Sequence, residues 1–227
     1  MNAVLYYSNA NECKRIASYL ADRSGYELTE ITSVCEREYE NVILIFPVYC
    51  QNIPKTVAQQ LVKLKAKYLA VIAAYGKMSY GNVLYEIQRQ NRHRIVAAAY
   101  VPTKHAYLDE ERFCNFALLN PVVDKLLNNP VETVIPKSPK NVFSNFAPEW
   151  RSRIGVKIIV NGDCDGCGIC EQICPRNAIK RGKPDRKCAR CARCVVNCHK
   201  KALTFKLSLP LKKYLSKQKN ADPIIYV

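Results

Sequence analysis

Eight of the twelve cysteines in this 227-residue chain fall into two segments with the same spacing. The first segment reads C-x2-C-x2-C-x3-C from Cys164 and is followed by a proline, and the spacing returns 24 positions later from Cys188. Such a loop wraps a [4Fe–4S] cluster with its first three thiolates, and in two-cluster proteins its fourth thiolate reaches the other cluster. The repeat therefore predicts two clusters that exchange single electrons.

This wiring assigns three cysteines of one segment and one of the other to each cluster. The first set is Cys164, Cys167, Cys170 and Cys198, and the second set is Cys188, Cys191, Cys194 and Cys174. Zinc is the competing interpretation, but a zinc site needs neither a third cysteine at this spacing nor a fourth after three residues. His199 stands where the first segment has Pro175. Since thiolates fill all eight positions, we expect this change to alter the rigidity of the loop and not its ligands.

The charge of the chain is concentrated in its second part. Residues 1–150 carry 17 basic and 14 acidic side chains, whereas residues 151–227 carry 18 and 5. We expect cluster potentials less negative than in an acidic relative, and an acidic redox partner such as a flavodoxin, a ferredoxin or a reductase. The basic residues are scattered among the cysteine loops, and no basic face interleaved with aromatic residues is evident, which argues against nucleic-acid binding.

The sequence predicts a cytoplasmic protein that does not span a membrane. It begins without a basic signal region, and no apolar stretch is long enough to cross a bilayer. In a reducing compartment, cysteines serve as metal ligands in preference to disulfides. No catalytic triad or pair of carboxylates is recognisable, so the sequence names no substrate.

Short apolar runs alternate with helical segments in the first part of the chain. The runs are 3–7, 41–46, 68–75 and 94–101, and the helical segments are 11–22, 53–67, 81–90 and one from Asp109 that Pro121 is expected to kink. Apolar runs of this kind form parallel strands covered on both faces. The alternation predicts an α/β fold with a doubly wound parallel sheet.

Four parts are expected along the chain. They are an α/β domain over 1–135, a proline-rich linker over 136–153, a cluster domain over 154–207 and a basic tail over 208–227.

Residues 155–206 resemble the two-cluster bacterial-type ferredoxins, a small α+β fold, through both cysteine segments. The rest of the chain resembles the flavodoxin-like domain that many anaerobes fuse to such a ferredoxin. The matching segments are YYSNANECKRIA (6–17), FPVYCQNIPKTVAQQL (46–61) and AAYGKMSYGNVLYEI (73–87). The resemblance implies a flavodoxin-like sheet and an FMN whose phosphate binds the first loop and whose ring lies between the other two.

The resemblance carries flavin-binding roles over to twelve residues. The phosphate loop is Ser8, Asn9, Ala10, Asn11, Glu12 and Cys13, and the ring loops contribute Pro47, Val48, Tyr49, Tyr75, Gly76 and Lys77. The family's first loop reads Ser-Gly-Thr-Gly-Asn-Ser/Thr, so that Asn9 and Asn11 replace glycines, a change that asparagine tolerates because it adopts left-handed φ readily. Glu12 places a carboxylate at a helix start, where it would repel a phosphate or occupy the anion site itself. Tyr49 and Tyr75 are expected to stack on the ring.

Two functions follow from these observations. The chain is either an electron-transfer protein that connects FMN with two clusters, or a ferredoxin whose flavodoxin-like domain has lost flavin and docks partners. His93 and His105 lack a nucleophile or carboxylate nearby in sequence, and we expect both to be solvated.

Overall fold

The structure, a computed structural model, describes residues 1–31, 37–90, 92–146, 148–218 and 221–227. The chain forms two compact units. The first comprises Met1–His105, Asp109–Ser144 and Lys219–Val227, and the second comprises Ala106–Leu108 and Asn145–Gln218.

Five parallel strands form the centre of the first unit. They are β1 (Asn2–Tyr6), β2 (Glu27–Glu30), β3 (Glu38–Pro47), β4 (Lys65–Tyr75) and β5 (Ile95–Pro102). Their spatial order is β2-β1-β3-β4-β5. This is the order of flavodoxin-like doubly wound sheets, in which the ligand crevice lies beyond the carboxyl ends of β1 and β3. The predicted fold class is therefore confirmed.

Four helices cover the two faces of this sheet. They are α1 (Glu12–Ser24), α2 (Lys55–Lys63), α3 (Val83–Arg89) and α4 (Asn120–Asn128). Apolar side chains of α2 and α3 pack on one face, and those of α1 and α4 pack on the other. Every residue of β5 is buried, as expected for a strand that is covered on both sides.

The helix predicted from Asp109 begins later than expected. Residues 109–115 are not helical, a 3-10 helix covers Phe116–Leu119, and α4 follows with Pro121 in its first turn. The prediction of a kink at Pro121 was wrong because proline lacks the N–H that the first turn leaves unbonded, and its fixed φ favours the start of a helix.

The second unit is a small α+β fold. Its elements are α5 (Pro148–Gly155), β6 (Val156–Val160), α6 (Ile169–Gln172), β7 (Ile179–Lys180), β8 (Lys183–Pro184), α7 (Arg193–Val196), β9 (Leu203–Leu207) and α8 (Leu209–Leu215). β6 pairs antiparallel with β9, and β7 pairs antiparallel with β8. The buried apolar cluster here consists of Ile179, Cys194 and Leu203. So small a core needs additional support, such as bound metal.

The chain returns to the first unit at its end. Strand β10 (Ile224–Tyr226) pairs antiparallel with β5, so that Ile225 faces Ala99 across the ladder. An unpaired edge strand exposes a row of backbone hydrogen-bonding groups, and β10 covers that row on β5. The expected tail over 208–227 is thus divided between α8 in the second unit and β10 in the first.

The expected linker over 136–153 is also divided. Its first part belongs to the first unit, where the Ser138 N–H donates to Asn82 Oδ1 at 2.5 Å and Lys140 Nζ lies 2.7 Å from Glu86 Oε1. A 3-10 helix, Val142–Asn145, spans the boundary between the units, and α5 opens the second unit. The prolines predicted an irregular backbone over 136–153. The backbone around Ser138 and Lys140 is irregular, but contacts with Asn82 and Glu86 hold it on the first unit.

Candidate functional site

The first cysteine segment folds around a pocket in the second unit. The sulfur-bearing residues that line this pocket are Cys164, Cys167, Cys170 and Cys198. Gly166 and Gly168 turn the loop with φ of 72° and 75°, and α6 begins directly after Gly168. Glycine adopts this left-handed region at little cost. The pocket brings together the four cysteines of the predicted first set, including the one from the other segment.

The second cysteine segment has the same backbone 24 residues later. α7 begins 24 residues after α6, and each of the two helices has four residues. Three left-handed positions recur at this offset: Gly166 and Arg190 (φ 72° and 57°), Gly168 and Ala192 (75° and 71°), and Asn177 and Lys201 (48° and 51°). Left-handed φ is costly for arginine and alanine, so the surrounding loop must impose this conformation.

The cysteines of the second set are close neighbours. Burial raises the pKa of Cys194 to about 12, with smaller increases from Cys191, Cys188, Cys174 and Cys170. Burial also raises the pKa of Cys191, and Cys188 and Cys174 add to that increase. A buried thiolate among other thiolates requires a nearby cation, and iron bound by these residues would supply that charge. The all-thiolate donor set suits a [4Fe–4S] cluster, and both sets of residues fit one.

Two sulfurs of the second set accept backbone hydrogen bonds. The Ala178 N–H donates to Cys174 Sγ at 3.2 Å, and the Arg190 N–H donates to Cys188 Sγ at 3.5 Å. Bonds of this kind stabilise negative charge on the sulfurs and are one of the factors that set the potential of a cluster.

His199 lies beside the first set. Its Nε2 is 3.4 Å from Asp165 Oδ2, and donor atoms of Asp165, Cys167 and His199 all lie within 4.8 Å of one another. Cys167 already belongs to a group of four sulfurs around the pocket. We therefore assign His199 to the surroundings of the first set and not to its ligands.

The first loop of the flavodoxin-like unit connects β1 with α1. Asn11 has a left-handed φ of 66° at the start of α1, whereas Asn9, the other replacement for glycine, does not adopt this region. Cys13 is fully buried against the sheet, and burial raises the pKa of its thiol. Ala10 lies at the turn between Asn9 and Asn11. The loop thus leads from the end of β1 to the start of α1 with one left-handed residue, Asn11.

Glu12 points inward from the start of α1. Its residue exposure is 7%, and its carboxylate lies 3.2 Å from Arg15 Nη1 and 3.4 Å from Arg112 Nε. Burial raises the pKa of Glu12, although Arg15, Arg112 and Lys104 oppose the increase. A paired carboxylate therefore occupies the end of the helix that a ligand phosphate would approach.

Two polar atoms of the first loop are buried without a partner among the residues that the structure describes. They are Ser8 Oγ and Asn9 Oδ1. A buried polar atom without a hydrogen bond is costly, and in native proteins it often marks the position of a ligand or water.

The second loop, after β3, lies against the first. Pro47 ends β3, and the Val48 N–H donates to the Ala74 carbonyl at 2.7 Å. The Asn9 side-chain amide donates to the Tyr49 hydroxyl oxygen. Tyr49, which the resemblance would stack on a flavin ring, is therefore connected directly to the phosphate loop.

The third loop, after β4, is filled by side chains of the unit itself. Tyr75 is buried in the core, where its ring meets the Tyr80 ring edge-on with 5.2 Å between the ring centroids. A Cβ added at Gly76 would overlap the ring of His105. Lys77 has a φ of 55°, and its Nζ lies 3.5 Å from Glu110 Oε2.

Both histidines that we expected to be solvated are half-buried. His93 Nε2 lies 2.9 Å from the Leu61 carbonyl oxygen. Burial lowers the pKa of His105, although nearby Glu110 opposes the shift. The expectation was wrong because their neighbours come from other strands and loops, which sequence proximity does not reveal.

Arg112 is the residue of this region that sequence reasoning missed. It follows β5 and reaches Glu12, which lies far earlier in the chain. Only the excess of acidic residues around it, at 109–111, hinted at ion pairing, and that signal does not identify the partner.

The flavin loops do not all fit FMN. Left-handed Asn11 and the two unpartnered polar atoms suit a ligand at the first loop. The inward, ion-paired Glu12 does not suit a phosphate, because two negative groups would share one helix end.

Comparison with known proteins supports an iron–sulfur motif. The family of 4Fe-4S binding domains matches residues 157–180, which contain the first cysteine segment. No curated protein sequence matches the chain. A solved structure, the rubredoxin oxygen:oxidoreductase of the anaerobe Desulfovibrio gigas, aligns with a TM-score of 0.43 and 15% identity over 55% of this chain. The chain spans 34% of that protein.

The chain therefore carries a ferredoxin-type [4Fe–4S] motif of the kind that serves electron transfer, together with a flavodoxin-like sheet. None of the helices in the described ranges has both the length and the apolar character that crossing a membrane requires.

Proposed function

We propose that this protein transfers single electrons through two [4Fe–4S] clusters held in its second unit. The observation that carries the proposal is the repeated backbone. The segment outside the family match has the same four-residue helix and the same three left-handed positions as the matched segment, 24 residues later. The repeat of this backbone supports a second cluster beside the one that the family match indicates.

The protein residues hold the clusters and tune them. Each set of four thiolates binds one cluster, and each cluster supplies a one-electron couple when bound. Ile179 and Leu203 exclude water beside Cys194. The amides of Ala178 and Arg190 stabilise charge on the second set.

The partner that this proposal favours is an acidic redox protein, such as a flavodoxin, a ferredoxin or a reductase. Residues 151–227 carry 13 more basic than acidic side chains, and two oxidised clusters at about −2 each leave an excess of about 9. Complementary charge speeds the encounter of redox partners. Clusters of this type and free thiols both suit a reducing cytoplasm.

The flavodoxin-like unit has two candidate roles, and we favour docking. Its first loop holds a paired carboxylate where a phosphate would bind, which supports a unit that no longer keeps FMN and serves as a surface for partners. An electron route that includes FMN is the second candidate. It is favoured by the unpartnered atoms of Ser8 and Asn9. In either role the chain is a candidate member of the flavodoxin–ferredoxin fusions of anaerobes.

Anaerobic purification tests the two-cluster proposal. We expect about eight irons and eight sulfides per chain, and an EPR signal of two interacting clusters after reduction. Cys194→Ser removes one ligand of the second set and should lower the iron content and change the EPR signal of that cluster. Cys114→Ser, at an exposed cysteine outside both sets, should leave the iron content unchanged.

Three results would contradict this proposal. They are a colourless protein, zinc in place of iron, and about four irons per chain in the unmodified protein. Extraction of the same preparation with acid separates the two roles of the first unit. Released FMN in amounts near one per chain would favour the flavin route over docking.

A further inference from the structure

The loops that would surround a flavin are bound to one another by the protein's own side chains. Asn9 of the first loop donates to Tyr49 of the second. The His105 ring, from the segment after β5, fills the space beside Gly76 of the third loop. Arg112, from the same segment, reaches Glu12 of the first loop.

We propose that the Glu12 carboxylate takes the place of a ligand phosphate, so that this flavodoxin-like unit discriminates against phosphate-bearing flavins. The inference deepens the docking role proposed above for this unit. It makes Glu12 the residue that opposes binding of the flavin phosphate.

The direction of the Glu12 side chain is the first argument. A glutamate at the start of a surface helix would ordinarily extend into water, where its charge is fully solvated. Glu12 is instead 7% exposed. Burial of a carboxylate is unfavourable without paired cations, and here Arg15 and Arg112 supply them at 3.2 and 3.4 Å.

The groups that Glu12 engages are the second argument. The start of α1, a helix of 13 residues, carries partial positive charge, and two guanidinium groups lie beside it. A phosphate would bind these same groups. Because the carboxylate already engages both guanidinium groups, an incoming phosphate must compete with it for them and is repelled by its charge.

The contacts of the ring loops do not involve Glu12. The Asn9–Tyr49 hydrogen bond joins the first two loops, and the His105 ring lies beside Gly76 of the third. Substitution of Glu12 therefore changes the phosphate position and leaves these contacts in place.

The test is a titration of the intact, cluster-loaded protein with FMN and with riboflavin, which lacks the phosphate. Binding is measured anaerobically by quenching of flavin fluorescence. For the unmodified protein we expect FMN to bind no more tightly than riboflavin. For Glu12→Gln and Glu12→Thr we expect the affinity for FMN to rise at least about tenfold, because removal of the carboxylate frees both guanidinium groups.

Riboflavin and a matched variant provide the controls. The affinity for riboflavin should change by less than about threefold in either variant, since it presents no charge to Glu12. Glu40→Gln makes the same chemical change on β3, where the Glu40 carboxylate lies 3.0 Å from Lys67 Nζ of β4. This variant should bind FMN as the unmodified protein does. Glu12→Gln preserves the shape of the side chain and decides the matter if Glu12→Thr fails to fold.

A second substitution separates phosphate binding from general loosening of the loop. Arg112→Ala combined with Glu12→Gln should lose most of the gain in FMN affinity, because Arg112 is then absent as a phosphate partner. If Glu12→Gln had only loosened the loop, the affinity for both FMN and riboflavin would rise, and the double variant would keep that increase.

Two results would overturn the inference. One is an unmodified protein that binds FMN more than about tenfold more tightly than riboflavin. The other is a folded Glu12→Gln protein with no gain for FMN. The iron content and the EPR signal are measured on the same samples, so failure of the cluster proposal is recognised separately.

Discussion

Ala192 has a left-handed backbone conformation that its side chain disfavours. It is 1% exposed, and it has a φ of 71° at the position where the first segment has Gly168. For an L-residue with a Cβ the left-handed region is unfavourable. Strain of this kind persists where the surrounding structure over-determines the backbone, as a loop that holds three thiolates does.

Replacement of Ala192 by glycine should stabilise the second unit. Relief of the left-handed strain offsets the greater flexibility of glycine in the unfolded chain, for a net gain of about 1 kcal/mol. The measurement is the midpoint of anaerobic thermal bleaching of the clusters. Ala202→Gly, at a buried alanine without positive φ, should lower that midpoint, and an equal effect of both substitutions would contradict the argument.

His105 gives the first unit a dependence on pH. Burial lowers the pKa of its imidazole below the ordinary 6.5, so the unfolded chain binds a proton more readily than the folded one. The free energy of unfolding should therefore fall as the pH decreases from 6.5 toward the lowered value, while above 7.5 His105 contributes no slope.

His105→Phe keeps a ring beside Gly76 and removes the titration. Urea unfolding of the first unit, followed at pH 8.0, 6.5 and 5.5, should show a weaker loss of stability in this variant than in the unmodified protein. Identical slopes in the two proteins would mean that His105 is not the group responsible.

At the scale of elements, the sheet depends on a strand from the far end of the chain. Ile224, Ile225 and Tyr226 pair with β5 and pack against the two apolar layers of the first unit. Without β10, the backbone hydrogen-bonding groups along one side of β5 would be exposed, and so would apolar residues that are now buried. An edge of this kind favours association with other chains.

Deletion of residues 221–227 should destabilise the first unit by about 2–4 kcal/mol, because three partly buried apolar side chains and a ladder are lost. Hydrogen exchange at the amides of β5 should accelerate, and gel filtration should show association. Deletion of Val227 alone, which is 54% exposed, is the control and should change neither result. Unchanged protection of β5 after the longer deletion would contradict this role.

The same elements show what the sequence could predict. Four of the five parallel strands were recognisable because each is a continuous apolar run, and the first cysteine segment was recognisable as a [4Fe–4S] motif from its spacing. β10 has three residues in a basic, irregular segment, and its pairing with β5 depends on an edge that only the folded sheet creates. The ion pair of Glu12 with Arg112 escaped prediction for a similar reason, since the two residues meet only after β1 and β5 are placed in one sheet.

At the scale of the whole molecule, the uneven charge is the feature that supports the proposal of an acidic partner. The excess of basic residues lies in 151–227, the part that holds both cysteine sets. A positive region around a redox centre attracts acidic proteins over distances comparable with the Debye length, which salt shortens.

Electron exchange with an acidic ferredoxin should slow by at least about fivefold between 10 and 500 mM salt, because screening removes the attraction. Stopped-flow absorbance of the clusters measures the rate. Exchange with an uncharged small mediator serves as control and should vary little. A rate with the acidic ferredoxin that stays constant, or rises with salt, would contradict an acidic partner.

Because the chain returns to β5 at its end, the two units cannot be separated by a single cut in the chain. In topological terms the cluster-binding unit is an insertion that precedes the final strand of the flavodoxin-like unit, and it is tethered at both of its ends. A protease that nicks only one tether leaves the fragments joined through the other. The flavodoxin-like unit expressed by itself would need its last seven residues restored, either through a short artificial loop or as a separate peptide that completes the sheet by fragment complementation.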